Sequence, residues 1–492
     1  MKYFIGADLG TSALKLLLVS KDGEIKNTVS RSYDVSFPKP GWSEQNPENW
    51  WEAFVLGVKE LIKGVDPDDI LGIGAGGQMH GLVILDENDK VIRPAILWND
   101  GRTEKETAYL NEKIGKEKLS SLTANIAFAG FTAPKILWVK DNEPENFKKI
   151  NKIMLPKDYL NFMLTGTFCT DYSDASGMLL LDVKNKKWSE DMLRICGISE
   201  TLLPKLYESY ETVGTLKSDV AALLGLNSKT KVVAGAGDNA AAAIGTGTVS
   251  DGQCNISLGT SGTAFISSDN FSVDKNNALH SFCHASGEYH LMACILSAAS
   301  CNKWFCSDIL GTEDYIAEES VITDENLGRN DIFFLPYLMG ERSPINDTDA
   351  RGTFIGMRMD TKREDMLLAV LEGVAFAIRD NFEIAKAQGI NITSSNLCGG
   401  GAKSELWQKI LCNILNINIT LLQTEQGPGL GAAMLAMVGC GEFENVESCA
   451  NDFVKERKTL SPDKEIAARY NKQYDKFKEI YPTLKDLFKT IK

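Results

Sequence analysis

The chain has 492 residues, of which 43% are hydrophobic and 24% charged, and a formal net charge of -14. That length exceeds what one hydrophobic core organises and predicts two or three domains. The acidic balance excludes a large non-specific nucleic-acid surface, which needs clustered Lys and Arg, and no apolar run reaches the roughly 18 residues of a membrane helix.

In chain order, an apolar strand at 3–7 runs into Asp8-Leu9-Gly10-Thr11-Ser12, and the run at 14–19 re-enters the sheet, so a hairpin is expected. Residues 25–35 add a strand, and apolar positions at three and four places predict a helix over 47–62. A buried strand at 70–75 ends in Gly76-Gly77-Gln78-Met79-His80, and 81–85 and 91–98 extend the sheet. Residues 101–230 read as helical insertions over this first core. A strand from 232 ends at Asp238 and passes into a small-residue helix at 239–244.

About half a chain length after the first pentapeptide, Ser257-Leu258-Gly259-Thr260-Ser261 repeats it, which points to two halves on one plan. Thr361 and Glu364 predict a capping box for a helix over 361–387. Its apolar stripe suits a single core or a homodimer contact. Gly399-Gly400-Gly401-Ala402 follows a strand and opens a helix over 405–415, while Gly427 to Ala433 forms either a pocket wall or a helix start. Beyond about 452 a solvated closing helix is expected. Hairpins interspersed with helices predict α/β architecture with mixed sheets, divided at 1–245 and 246–492.

The chain starts without a cleavable signal pattern, and its 11 cysteines, all at or beyond Cys169, contain no CxxC pair. A reducing, cytoplasmic setting is expected. Cys294, Cys301 and Cys306 near His290 match no zinc spacing.

Small Gly, Thr and Ser residues let backbone N–H groups close around phosphate, so Thr11, Ser12, Gly259 and Thr260 are candidate phosphate-loop positions. Asp8, at a strand end, can hold hydrated Mg²⁺ against phosphate oxygens, and Lys15 can approach the same anion. An ordinary hairpin capped by Asp is the plainer alternative. Asp238 can cap the following helix or accept a proton from a hydroxyl attacking phosphorus. Gly400, Gly401 and Ser404 suit a nucleotide. Gln78, Met79 and His80 suit a sugar, as do Trp98 and Asp100. His280, His284 and His290 are expected to be structural.

These segments closely resemble the FGGY carbohydrate kinases across essentially the whole chain. The resemblance rests on Gly41-Trp42-Ser43-Glu44-Gln45-Asn46-Pro47-Glu48-Asn49-Trp50-Trp51, Gly77-Gln78-Met79-His80-Gly81, Ile96-Leu97-Trp98-Asn99-Asp100-Gly101-Arg102 and Leu155-Pro156-Lys157-Asp158-Tyr159-Leu160. Phe131-Thr132-Ala133-Pro134-Lys135, Phe334-Leu335-Pro336-Tyr337-Leu338 and Gly340-Glu341-Arg342 add to it. It implies two ribonuclease-H-like domains in an actin-like arrangement with a central cleft, the N-terminal one binding sugar and the C-terminal one ATP. Carried over, Asp238 is the base and Asp8 the Mg²⁺-associated carboxylate, with Met79, His80 and Asn239 at the sugar. The strand-end pair Met79-His80 points within the family to D-xylulose as acceptor and MgATP as donor. Ribulose, gluconate or glycerol as acceptor is the nearest alternative, and a non-catalytic actin-like nucleotide-binding protein a more distant one. A nicotinamide dehydrogenase is disfavoured by the glycine arrangement.

Overall fold

Each copy of the repeated pentapeptide forms the turn of an antiparallel hairpin. Strand Tyr3–Leu9 pairs with Ala13–Ser20, and Gln253–Leu258 pairs with Gly262–Ser268. The computed structural model describes residues 1–424 and 426–491, so Glu425 and Lys492, both within the expected second domain, lie outside the described residues. The chain divides into two compact units. The first comprises residues 1–249, 281–290 and 426–454; the second comprises 250–280, 291–425 and 455–492.

In the first unit the sheet runs in the order Thr212–Thr215, Lys231–Val233, Ile70–Gly77, Tyr3–Leu9, Ala13–Ser20, Ile25–Ser32, with Ala236–Gly237 pairing at the far end of Ile70–Gly77. The central pairings are parallel and the hairpin edges antiparallel, as a mixed sheet requires. Leu16, Leu17, Leu18 and Val19 are all fully buried. Both faces of that strand are therefore covered, which is why it reads as a continuous apolar run rather than an alternating one. The helix expected over 47–62 occupies Pro47–Leu61. The sheet expected at 91–98 contracts to Ala95–Ile96, paired with Glu44–Gln45.

The Gly427–Ala433 run is the start of helix Gly427–Cys440, a packing element of the first unit. A Cβ on Gly6 would stand 1.9 Å from the Gly429 carbonyl oxygen, and one on Gly74 would stand 2.1 Å from that of Ala432. The glycines thus let a helix backbone lie directly on the strands.

In the second unit strands follow the order 291–295, Gly262–Ser268, Gln253–Leu258, Ser394–Cys398, Asn418–Leu422, Glu456–Leu460. Helix Arg363–Ala387 packs Leu367, Leu371, Val374 and Ile378 into the core. Its capping box sits one residue later than expected: the Asp365 carboxylate accepts the Lys362 N–H at 3.0 Å. The Thr361 hydroxyl is already occupied, accepting the Arg358 N–H at 2.8 Å. The chain end also departs from the solvated helix expected. Glu456–Leu460 joins the sheet, and helix Lys464–Phe477 buries Tyr470 and Phe477 against Phe376. Charged residues on its outer face mask that apolar stripe in the composition. Among the described residues, no helix is long and apolar enough to cross a membrane.

Candidate active site

Register alone brings the principal residues of the first unit together. Asp8 lies opposite Gly76 and Leu9 opposite Gly77; Ala236 and Gly237 lie opposite the same two glycines from the other side. Three parallel strands therefore end at one level. Asp8 closes one, Gln78, Met79 and His80 follow the second, and Asp238 follows the third as first residue of helix Asp238–Gly245. Strand ends of an α/β sheet are where such folds place ligands.

Asp8 and Asp238 are both half-buried. Burial pushes the Asp8 carboxyl up to about 6, partly offset by Lys15, its cross-strand neighbour. Burial, and secondarily the charge of Asp8, pushes Asp238 up to about 7. The opposing influence is Asn239, whose backbone N–H and side-chain amide both donate to Asp238 Oδ1, at 2.7 and 3.0 Å. A carboxylate with its proton affinity near neutrality is suited to general-base work.

Met79 is buried and fills the space that a side chain at Gly237 would need: a Cβ there would meet Met79 Cγ at 2.9 Å. His80 has φ +69, a left-handed backbone that non-glycine residues adopt only when the surroundings hold it. Its carbonyl accepts from Thr132 Oγ1 at 3.1 Å and from the buried Lys135 ammonium at 2.8 Å. Its ring stacks on Phe131, and Nδ1 lies 2.8 Å from the Gly177 carbonyl oxygen. A Cβ on Gly177 would stand 2.5 Å from the imidazole, so any side chain there would have to displace the ring.

The other predicted residues divide. Trp98 is 47% exposed and donates its indole N–H to Thr11 Oγ1 at 2.9 Å, which links the expected rim to the first hairpin turn. Ser12 is exposed on that turn. Gln78 is buried, donating to Gln45 Oε1 at 3.1 Å and accepting from Thr11 Oγ1 at 3.4 Å, so its amide braces the turn. Asp100 departs from the expected sugar rim. It is buried and accepts the Ser43 N–H at 2.6 Å and three N–H groups of Arg102 at 2.7 to 2.9 Å, leaving its carboxylate no solvent-facing role. Arg102 itself lies over the Trp42 ring at 3.7 Å. The arginine two residues away is the sequence signal for that inward turn.

In the second unit Gly259, Thr260, Gly400, Gly401 and Ser404 all line one cavity of about 700 Å³, with Lys303, Tyr315, Ile316 and Trp407 on its walls. The Thr260 carbonyl accepts from Ala298 N–H at 3.0 Å and Ser300 Oγ at 2.7 Å, fixing the hairpin turn as one wall. Ser404 caps helix Glu405–Leu415 by accepting the Trp407 N–H at 3.0 Å, and donates to Glu319 Oε2 at 2.6 Å. Glu319 on that wall has no counterpart in the sequence reading.

Among the described residues, no cluster of three His, Cys, Asp or Glu side chains is arranged as a protein-built metal cage. One or two carboxylates beside a phosphate-binding turn are nevertheless the usual protein share of a magnesium site, since that ion keeps most of its waters. Asp8 meets this requirement by position and charge.

Residues 3–245 match the FGGY family of carbohydrate kinases, N-terminal domain, and residues 254–440 match the C-terminal domain of the same family. The chain is 41% identical to a xylulose kinase of Bacillus subtilis, over 100% of this chain and 99% of that one. Among solved structures, a xyloylose kinase from Brucella ovis is 39% identical with a TM-score of 0.93, covering 99% of this chain and 100% of that one. A gluconate kinase from Lactobacillus acidophilus is 26% identical with a TM-score of 0.94, over the whole of both chains. Strand ends that gather two carboxylates, twin Leu-Gly-Thr-Ser hairpins and both halves of the family pattern lead to one assignment: this chain belongs to the FGGY family of carbohydrate kinases.

Proposed function

We propose that the chain transfers the γ-phosphoryl group of MgATP to the C5 hydroxyl of D-xylulose, giving D-xylulose 5-phosphate and ADP. The observation that carries this reading is Asp238, a carboxylate raised to about 7 at a strand end beside Met79 and His80. With Oδ1 engaged by Asn239, Oδ2 is the oxygen offered to the sugar. Asp238 takes the hydroxyl proton as the sugar oxygen bonds to the γ-phosphorus and the bond to the β–γ bridging oxygen breaks, releasing ADP. His80 and Met79 orient the ketose, with the imidazole held by Phe131 and the Gly177 carbonyl. Thr11, Ser12 and Lys15 are the phosphate-contact positions of the first unit, and Gly259 and Thr260 are those of the second. Gly400, Gly401 and the wall around Ser404 take the nucleoside. Asp8 would hold Mg²⁺, and that ion, when bound, would neutralise charge on the phosphate oxygens.

The choice of D-xylulose over other acceptors is supported by the full-length likeness to the Bacillus subtilis xylulose kinase. The likeness in fold to a gluconate kinase favours gluconate as the second reading. The 11 cysteines, with no CxxC pair among them, suit a reducing cytoplasm. The product tests the proposed chemistry. Carbon NMR of the phosphorylated sugar should show phosphorus coupling at C5 and C4. Coupling confined to C1 and C2 would reject the assigned hydroxyl.

A further inference from the structure

The base follows a three-residue linker, Gly235-Ala236-Gly237, with little side-chain mass to hold it. Gly235 has φ +75, and a Cβ there would stand 2.0 Å from the Ala75 carbonyl oxygen, so the linker lies flat on the neighbouring strand. Both of its ends are tied to the same buried carboxylate. At the far end, the Gly237 N–H donates to Ser173 Oγ at 3.2 Å, and Ser173 Oγ donates to Asp171 Oδ2 at 2.5 Å. At the near end, the Gly235 N–H donates to the Ser209 carbonyl at 2.9 Å, and Ser209 Oγ donates to Asp171 Oδ2 at 2.7 Å. The Ser173 N–H adds a third bond to that oxygen at 2.9 Å.

The other oxygen, Asp171 Oδ1, is ion-paired with Lys157 Nζ at 3.0 Å. Lys157 is fully buried, bonds Asp158 at 2.7 Å and faces Asp174 at 3.7 Å. Its stem backs the second strand end, where a Cβ on Gly77 would meet Lys157 Cβ at 2.8 Å. From the same helix Asn161 donates to the Ala234 carbonyl at 2.8 Å. A buried ion pair of this kind is weak evidence for net stability, and its cost calls for another role.

We propose that Asp171, bonded to the Ser173 hydroxyl that holds Gly237 and to the hydroxyl of Ser209, whose main-chain carbonyl holds Gly235, is the positioning residue that fixes the Gly235–Gly237 linker and hence the aim of Asp238, with Lys157 neutralising its charge. This rests on Asp238 being the base. Phosphoryl transfer tolerates little misplacement of the groups that orient the attacking oxygen, and each serine carries one end of the linker.

The test compares Ser173→Ala, Ser209→Ala, the double variant and Asp238→Asn in the full chain. The readouts are kcat and KM for D-xylulose, ATP affinity without sugar, and melting temperature. Each single serine variant should lose about tenfold in kcat per folded molecule, with ATP affinity within about twofold of wild type, and the double variant should lose more. A kcat within about twofold of wild type in every folded serine variant, whatever its melting temperature, would reduce the network to a structural one and overturn the proposal. Substantial turnover by Asp238→Asn would remove the base itself. Loss in Asp238→Asn with full activity in the serine variants would leave the base standing and reject only the clamp.

Discussion

Asp238 stands between two opposing influences, burial and the charge of Asp8 on one side and two hydrogen bonds from Asn239 on the other, and the balance places it at about 7. As the proposed base it must be unprotonated, so kcat/KM for the sugar should fall as pH drops through about 7, in a pH–rate series at saturating MgATP. The same shift has a stability consequence of definite sign. A carboxyl whose folded value lies above its unfolded 3.8 favours folding when protonated, and that contribution is lost as pH rises toward 7. Asp238→Asn should therefore melt higher than wild type at pH 8, and the difference should vanish near pH 4, measured by calorimetry without ligands. Its kcat should fall by about 10²–10⁴-fold while ATP binding persists. A variant that keeps wild-type turnover, or melts lower at pH 8, would contradict the environment assigned to this carboxylate.

At the level of elements, glycine spacing does more than loosen turns. Gly177 leaves room for the His80 ring, so Gly177→Ala should displace the imidazole and raise KM for the sugar about tenfold, with nucleotide affinity unchanged in a binding titration. Gly74→Ala would push a methyl into the Ala432 carbonyl, a backbone atom that cannot turn aside. It should lower stability by about 1–3 kcal/mol in urea unfolding; an unchanged midpoint would mean that the helix does not rest on the strand as described.

Elements with a strong local signature were legible from sequence: both pentapeptide hairpins, the helix from Pro47, the helix from Glu405 and the strand leading to Gly76. Positions fixed by long-range partners were not. Asp100, expected on the sugar rim as an acceptor of hydroxyl hydrogens, instead accepts from Arg102 and the Ser43 N–H. Gly177, Asp171 and Ser209 come near the strand ends only through tertiary packing, and no local motif marks them. Thr361 lost its capping role to a turn bond with Arg358, a competition decided by backbone geometry.

The whole molecule repeats one hairpin-based plan in two units, and each repetition carries a different burden. The first copy keeps the carboxylate Asp8, whereas the second has Ser257 at that place and lines a cavity large enough for a nucleotide. Fold likeness does not separate acceptors, since a gluconate kinase and a xyloylose kinase align with TM-scores of 0.94 and 0.93. The distinction must come from side chains, and Met79 and His80 at the strand end are the ones proposed to make it. The decisive measurement is kcat/KM from coupled ADP release with MgATP against D-xylulose, D-ribulose, L-ribulose, gluconate and glycerol, with a sugar-free control. D-Xylulose should exceed every other acceptor by at least about tenfold; a dominant signal from gluconate or another polyol, or no sugar-dependent ADP release from folded protein, would contradict the proposed reaction.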